Sequence, residues 1–136
     1  MRDQKIKDYE PKTMSRFVVK FPNQFNIFDW TITKINKPKF TNGKWEDMKI
    51  VFVDPIGLST SKGLYNIIDF LKKDVNDNKS LFNIKIKLLD PTGIEIEEWV
   101  IYVEEVLTIN FGELDYSNDN IQEPYLILKP LNCVLN

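Results

Sequence analysis

The sequence predicts a mostly β protein, an antiparallel β-sandwich or half-barrel of about seven strands with one α-helix. The chain of 136 residues contains no alanine, which is the best helix former, and no histidine. Isoleucine, valine, phenylalanine and tyrosine, which favour pleated strands, are abundant instead. Short apolar segments are separated by turn residues along the chain, a spacing that is typical of sandwiches and small barrels.

Three strands are predicted in the first half of the chain, over residues 16–21, 27–35 and 45–53. In the second of them, Phe28, Trp30 and Ile32 alternate with polar residues and are expected to share one face. The dipeptide Asn42-Gly43, which precedes the third strand, is a sequence that tight hairpin turns favour. We therefore expect a hairpin at this point.

The segment 59–73 is the one stretch with a clear helical pattern. Ser59, Thr60 or Ser61 can cap its start through a side-chain oxygen. An apolar stripe at helical spacing follows, made of Leu64, Ile67, Ile68 and Leu71. This stripe predicts packing on the core rather than a ligand site, and residues 74–79 are expected to form a loop.

The second half of the chain predicts four more strands, over residues 81–89, 94–103, 105–111 and 124–134. The alternation of apolar and polar residues slips at Glu97-Glu98, which indicates a bulge there. Pro124 and Pro130 lack the backbone N–H that a central strand needs, so they are expected at the limits of the last strand or on an edge.

Composition excludes several classes of function. Without histidine, the chain cannot use histidine-based acid–base catalysis or a Ser-His or Cys-His pair. Cys133 is the only cysteine, so no disulfide framework can form within the chain, and a small apolar role is expected for it. No apolar run approaches the roughly 18 residues of a membrane span, and no membrane anchor is expected. Residues 1–15 are expected to be an N-terminal arm and residues 16–136 a single domain.

The acidic stretch 108–123 could hold a metal, provide catalytic carboxylates or form a turn. Counted from Asp115, an EF-hand loop would need glycine at the sixth position and glutamate at the twelfth, where this chain has Asn120 and Leu126. The segment 57–63 has its lysine on the wrong side of the second glycine for a phosphate loop. We therefore predict no catalytic, cofactor-binding or metal-binding residues.

Lysines surround the predicted hairpin at positions 34, 37, 39, 44 and 49, with Phe40 and Trp45 between them. This arrangement has three interpretations: a nucleic-acid surface of basic and aromatic residues, a sheet edge that lysines protect from aggregation, or a charged contact with a protein partner. The formal net charge of −2 argues against the first.

Three motifs in order resemble the tail tube protein family of contractile-tailed bacteriophages. They are Asp90-Pro91-Thr92-Gly93, then Glu97-Glu98-Trp99, then the run from Asn110 to Ser117, N-F-G-E-L-D-Y-S. The strand from Trp45 to Phe52 and the helix entry after Asp54 are also similar, so the resemblance covers roughly residues 44–130. The residues that carry the resemblance and are expected to be structural are Asp90, Pro91, Gly93, Trp99, Asn110, Phe111, Gly112, Leu114, Asp115 and Tyr116.

The resemblance implies a structural, non-enzymatic subunit of a virion tail, assembled in the host cytoplasm. In that family, six subunits form a ring whose sheets join into one barrel, and the rings stack around a channel. The implied partners are further copies of the chain, a sheath protein, a baseplate or tube initiator, a tape-measure protein in the lumen, and DNA that passes through without specific binding. The connection before the third strand is shorter here than is usual, so a tube-like baseplate or tube-end component is the nearest alternative.

Within the third motif, Gly112 is expected to redirect the chain sharply. Phe111, Leu114 and Tyr116 are expected to anchor the segment between the last two strands. Asp115 and Asp119 are expected to accept hydrogen bonds from backbone amides of the turn.

Overall fold

The computed structural model describes residues 16–57, 59–73, 80–117 and 121–136, and in them the expected class is confirmed. The expected arm 1–15, the expected loop 74–79 and the expected role of Asp119 lie outside these residues. The strands are β1 Phe17–Lys20, β2 Ile32–Ile35, β3 Phe40–Thr41, β4 Lys44–Trp45, β5 Met48–Phe52, β6 Phe82–Leu89, β7 Glu95–Asn110 and β8 Tyr125–Leu135, and the α-helix, α1, is Thr60–Lys72.

Six strands form one antiparallel sheet in the order β1-β6-β7-β8-β5-β2, curved into a nearly closed half-barrel. The strands β3 and β4 form a separate two-stranded hairpin. The two longest strands, β7 and β8, are central neighbours, and their ladder runs from Trp99 opposite Leu135 to Asn110 opposite Tyr125. The short strands β1 and β2 are the two edges of the sheet.

The hydrophobic core lies on one face of this sheet, under α1. Alternate residues of β5, β6 and β8 point into it, and Leu64 and Ile67 of α1 are completely buried there, as their spacing predicts. Full burial of a leucine or isoleucine side chain contributes roughly 1.5–3 kcal/mol. Phe25 meets Phe70 of the helix and Phe82 of the sheet edge-on, with ring centroids 5.5 and 5.1 Å away. The helix is therefore fixed against one face, and we call the opposite face, which α1 does not cover, the uncovered face.

Two side chains, one at the N-cap position and one from the end of β5, accept hydrogen bonds at the start of α1. Ser59 is the N-cap, and its hydroxyl accepts a hydrogen bond from the amide of Lys62 at 3.1 Å. The carboxylate of Asp54, which follows β5, accepts the amide of Thr60 and the hydroxyl of Ser61, each at 2.9 Å. These bonds satisfy amides that a helix leaves unpaired at its start. The cap at Ser59 is confirmed, whereas the Asp54 contacts were not predicted.

The strand predicted over 27–35 is wrong in its first half. Residues Asp29–Thr31 form a 3-10 helix, and only Ile32–Ile35 pair with β5. Thr31 is buried and its hydroxyl donates to the carbonyl of Phe28 at 2.6 Å, which closes the short turn. The expected common face is therefore absent: Ile32 is buried, whereas Phe28 and Trp30 are exposed and contact each other.

The hairpin expected at Asn42-Gly43 is confirmed. Both residues have positive φ, 51° and 78°, and Phe40 pairs with Trp45 across the turn. The predicted strand 45–53 is divided, because β4 ends at Trp45 and β5 begins at Met48. The hairpin therefore leaves the plane of the main sheet before β5 rejoins it.

The two strands predicted over 94–103 and 105–111 are one continuous strand, β7. Register shifts against β8 near Val103 and Val106 interrupt the alternation that the sequence shows. The bulge expected at Glu97-Glu98 lies nearby, at Ile96, which is the extra residue between the pairs of Leu88 and Leu89. Pro124 directly precedes β8, at its limit as expected. Pro130 lies inside β8 but in the part that pairs with β7 alone, which is the expected edge position, and the register shift beside it accommodates its missing N–H.

Candidate functional site

The residues of the tube-like motifs lie at the two ends of β7. The turn at Asp90–Gly93 precedes this strand, and Asn110 is its last residue. A strand of 16 residues is roughly 50 Å long at about 3.3 Å per residue. The motifs therefore form two separate surfaces and cannot form one site.

The Asp90-Pro91-Thr92-Gly93 turn is closed by the Asp90 carboxylate. Its Oδ1 accepts the amides of Thr92 and Ile94 at 2.8 and 2.9 Å and the Thr92 hydroxyl at 2.7 Å. Gly93 has φ of +88°, a conformation that residues with a side chain seldom adopt. This motif joins β6 to β7.

Trp99 belongs to a cluster that attaches the β3–β4 hairpin to the sheet. Its indole N–H donates to Glu97 at 2.7 Å, and Lys37 forms an ion pair with the same carboxylate at 2.8 Å. Trp45 of the hairpin lies edge-on to Trp99, with ring centroids 6.3 Å apart, and donates to Asn132 of β8 at 3.2 Å. The position of the hairpin is thus fixed from β7 and β8 together.

The third motif forms the start of the connection from β7 to β8; we call residues 111–117 the connecting turn. Asn110 accepts the amide of Gly112 at 2.8 Å, and Gly112 has φ of +102°, as the expected redirection requires. Asp115 accepts the amide and the hydroxyl of Ser117 at 3.0 and 2.7 Å. The Ser117 hydroxyl first, and then its amide, lower the pKa of the Asp115 carboxyl below its usual value. Short-range polar contacts therefore hold the turn in shape.

The apolar residues of the connecting turn do not anchor it within this chain. Leu114 is 89% exposed, Tyr116 is fully exposed and Phe111 is 38% exposed. The expectation that these side chains pack between the last two strands is wrong for the single chain. Isolated apolar residues on a surface are ordinary, but this cluster at a rigid turn marks a candidate contact surface. The sequence could not predict their exposure, because an apolar residue in a turn looks the same in the sequence whether it is buried or exposed in the single chain.

An open cavity of about 720 Å³ lies beside the start of α1; we call it the aromatic groove. Phe28, Tyr65 and Phe111 provide its aromatic walls, and Lys62 is the charged residue among the described residues that line it. The sequence did not predict this groove, because it forms where the segment around Phe28, wrongly predicted as a strand, meets the helix and the end of β7.

The central strands overhang their neighbours at opposite ends. The pairing register joins β6 to Glu95–Val103 of β7 and β5 to Tyr125–Leu128 of β8. Among the described residues, the remaining edges, along 104–110 and 129–135, have no strand partner. Such unpaired edges are the places at which a strand from another chain can pair.

The lysines around the hairpin do not form a single free basic surface. Lys37 pairs with Glu97, Lys39 pairs with Glu46 at 3.4 Å, and the ammonium of Lys49 lies 4.4 Å from the ring centre of Tyr125. The two ion pairs reduce the positive charge that a nucleic acid would meet.

Chemical groups that could react are sparse in the part of the chain that the structure describes. Cys133 is buried in β8, and burial raises the pKa of its thiol to about 11, so it is a weak nucleophile at neutral pH. No three Cys, Asp or Glu side chains of residues 16–57, 59–73, 80–117 and 121–136 come together as a metal site would require. None of the helices in these ranges has the length and apolar character needed to cross a bilayer.

Comparison with known proteins finds likeness in structure and not in sequence. No protein family model and no curated protein matches the chain. A chain in the cryo-EM structure of an extracellular contractile injection system, the PVC sheath-tube complex in the extended state, aligns with a TM-score of 0.63 and 13% identity. The alignment covers 98% of this chain and 96% of that one.

Two further structures belong to the anti-feeding prophage. A chain of its baseplate aligns over 93% of this chain and 96% of that one, and a chain of its tube-terminating cap over 93% and 91%. Both have a TM-score of 0.60 and 14% identity. This chain therefore has a tail-tube-like fold, which is shared by tube, baseplate and terminator components of contractile injection systems.

Proposed function

We propose that this chain is a structural, non-enzymatic subunit of a phage tail tube, in which six copies form a ring and the rings stack inside a contractile sheath. Residues 16–136 act as one domain in this assembly, and residues 1–15 act as an arm. The observation that carries the proposal is the agreement of fold over 98% of the chain with a chain of a sheath-tube complex.

The open strand edges support assembly from many copies. Among the described residues of a lone chain, the edges along 104–110 and 129–135 have no strand partner, although the Trp45 indole contacts Asn132 beside the second edge. Unpaired edges promote uncontrolled association. A closed ring of copies removes such edges, because each chain adds strands to the next. The two edges differ in sequence, which suits a head-to-tail contact that closes into a ring.

The uncovered face of the sheet is the surface that we assign to the channel. Two lysines on this face pair with carboxylates: Lys87 pairs with Glu95 at 3.3 Å and with Glu98 at 3.7 Å. Lys129 pairs with Glu104 at 3.1 Å, which raises the pKa of the Lys129 ammonium. These ion pairs reduce the attraction of the face for a polyanion, which supports the passage of DNA without specific binding.

The helix face then points outward, toward the sheath. A tape-measure protein occupies the lumen during assembly, and the first ring forms on a baseplate or tube initiator. The assembled location is the virion tail, after assembly in the host cytoplasm.

Electron microscopy of the purified chain, alone and with its sheath protein, tests the proposal. We expect six-fold rings, and tubes as the protein concentration rises. A chain that stays monomeric at every concentration, in both preparations, contradicts the proposal.

A tube-like baseplate or tube-end component is the second candidate. The observation that favours it is the likeness to chains of a baseplate and of a terminating cap. Labelling the chain within intact particles separates the two, since a tube subunit is present along the whole tail and an end component at one end. The remaining alternative is a small nucleic-acid-binding β-barrel, which predicts a gel shift with single-stranded DNA that weakens steeply with salt.

A further inference from the structure

The connecting turn presents exposed apolar side chains between two local hydrogen-bonded turns. Leu114 and Tyr116 are exposed, yet the turn that carries them is held by the Asn110–Gly112 and Asp115–Ser117 hydrogen bonds. A binding segment that is already ordered loses less conformational entropy when it docks. The backbone on both sides of Leu114 is thus partly ordered before the turn contacts another surface.

The aromatic groove has the shape and lining to receive such side chains. Its volume of about 720 Å³ lies within the range of roughly 300–1,000 Å³ that is usual for binding clefts. Phe111 lines the groove, but Gly112 turns the chain away, and neither Leu114 nor Tyr116 of the same chain lines it. The turn therefore leaves its own groove open.

Charge distinguishes the two surfaces. Among the described residues, the groove is lined by Lys62 and by no carboxylate, whereas the turn carries Glu113 and Asp115. The sequence has no lysine or arginine between Lys87 and Lys129, so no basic residue near the turn in sequence can pair with these two carboxylates. Pairing two turns would bring like charges together, while pairing a turn with a groove brings opposite charges together.

We propose that the connecting turn of one copy docks into the aromatic groove of the next, with Leu114 and Tyr116 against Phe28 and Tyr65, and Glu113 near Lys62. This inference rests on the proposed function, because it assumes a ring of identical copies. The turn and the groove adjoin at Phe111 but present different side chains, so the turn of one copy against the groove of the next is a heterologous contact, which a head-to-tail interface requires. Both lie at the end of the sheet where β7 ends, so rotation alone can bring neighbouring copies together at the same level.

Cross-linking between two differently labelled preparations tests the contact. One carries Tyr116→Cys and the other Tyr65→Cys, so a short bismaleimide can join them only between chains. We expect a covalent dimer in mixed rings and not in either preparation alone; the buried Cys133 is common to both. Ile94→Cys, which is exposed in the turn at the other end of β7, replaces Tyr116→Cys as the matched control and is expected to give no product with Tyr65→Cys.

Charge reversal provides an independent test. Glu113→Lys and Lys62→Glu are each expected to raise the concentration needed for ring formation, and a contribution of up to about 1 kcal/mol corresponds to up to about fivefold. The variant with both reversals is expected to recover assembly. Leu114→Ser with Tyr116→Ser is expected to abolish rings at concentrations at which the wild type assembles, while Ile94→Ser keeps them.

The outcomes separate this inference from the proposed function. Mixed rings of the Tyr116→Cys and Tyr65→Cys preparations that give no cross-linked dimer overturn the inference alone, as do rings that persist in the Leu114→Ser, Tyr116→Ser variant. A product between Tyr116→Cys and the sheath protein in place of a second copy overturns it as well. A wild-type chain that is monomeric under all conditions overturns the proposed function, and the docking contact with it.

Discussion

A Cβ atom at Gly63 would lie 2.8 Å from Cγ1 of Ile27, which is closer than two non-bonded carbon atoms approach each other. It would also lie 3.3 and 3.4 Å from the carbonyl oxygens of Asn26 and Phe25. One helical turn further on, the Asn66 amide donates to the Phe25 carbonyl at 2.9 Å. The absence of a side chain at position 63 therefore sets how closely α1 approaches the segment before β2.

Gly63→Ala is expected to destabilise the fold, although alanine favours helices by about 1 kcal/mol over glycine. The added methyl meets backbone carbonyls and the branched part of Ile27, and overpacking of this kind costs roughly 1–3 kcal/mol. Urea denaturation measures the change. The matched control is Gly57→Ala, since a Cβ at Gly57 has nothing within 4 Å. Equal stabilities of the two variants would contradict the close-contact argument.

Gly112→Val is expected to destabilise the β7–β8 connection. The backbone φ of +102° at this position is strained for a β-branched residue, at a cost on the order of 1–3 kcal/mol. Space is not the cause, because the nearest atom to an added Cβ is Gln122 Cβ at 3.9 Å. Thermal denaturation compares the variant with Gly57→Val, whose φ is ordinary; a Gly112→Val protein as stable as this control would show that the turn adapts freely.

Asp115→Asn is expected to have little effect on stability, whereas Asp115→Ala has more, because the asparagine oxygen can still accept the Ser117 amide and hydroxyl. The pKa of the Asp115 carboxyl is lowered in the folded chain, so its contribution is present above the unfolded pKa and is lost as the pH falls through the folded pKa. Melting curves at acidic and neutral pH measure this loss. A shift of the melting temperature by calcium or by a chelator would indicate a metal site instead.

The Cys133 thiol is expected to make folding sensitive to alkaline pH. Its pKa is raised from 9.0 to about 11 by burial, so the folded state disfavours the thiolate. Stability from this group is fully present below the unfolded pKa and falls as the pH rises through 9 toward 11. The difference between wild type and Cys133→Ala in melting temperature should therefore change over this range. A constant difference, or rapid thiol labelling of the native chain at pH 8, would contradict the buried environment.

Local patterns predicted the parts of the fold that local interactions determine. The Asn42-Gly43 and Asp90-Pro91-Thr92-Gly93 turns depend on backbone conformations that only a few residue types adopt readily. The position of α1 followed from the spacing of Leu64 and Ile67 and from the cap at Ser59.

Tertiary contacts decided the parts that the patterns missed. Phe28 and Trp30 alternate as in a strand, but the buried Thr31 and its bond to the Phe28 carbonyl select a 3-10 turn. The continuity of β7 was hidden because register shifts against β8 change which residues face the core.

At the candidate site, the sequence predicted the backbone conformation of the turn. It did not predict which side chains are exposed. Gly112 and Asp115 have the turn conformation and the hydrogen bonds that their residue types indicate. Leu114 and Tyr116 were expected inside, and the groove beside Tyr65 was not expected, since both depend on packing between distant segments.

The unequal lengths of the strands determine the order in which the sheet comes apart. The edge strands β1 and β2 have four residues each, whereas β7 and β8 share a ladder from Trp99 to Asn110. A pull along the strands loads that long ladder in shear, with many hydrogen bonds sharing the force, while a pull across the sheet peels the short edges one bond at a time. Amide hydrogen exchange should therefore be slowest along β7 and β8 and fastest at β1 and β2. A tube built from this sheet would be stiff along the strand direction and would open first at the short edge strands.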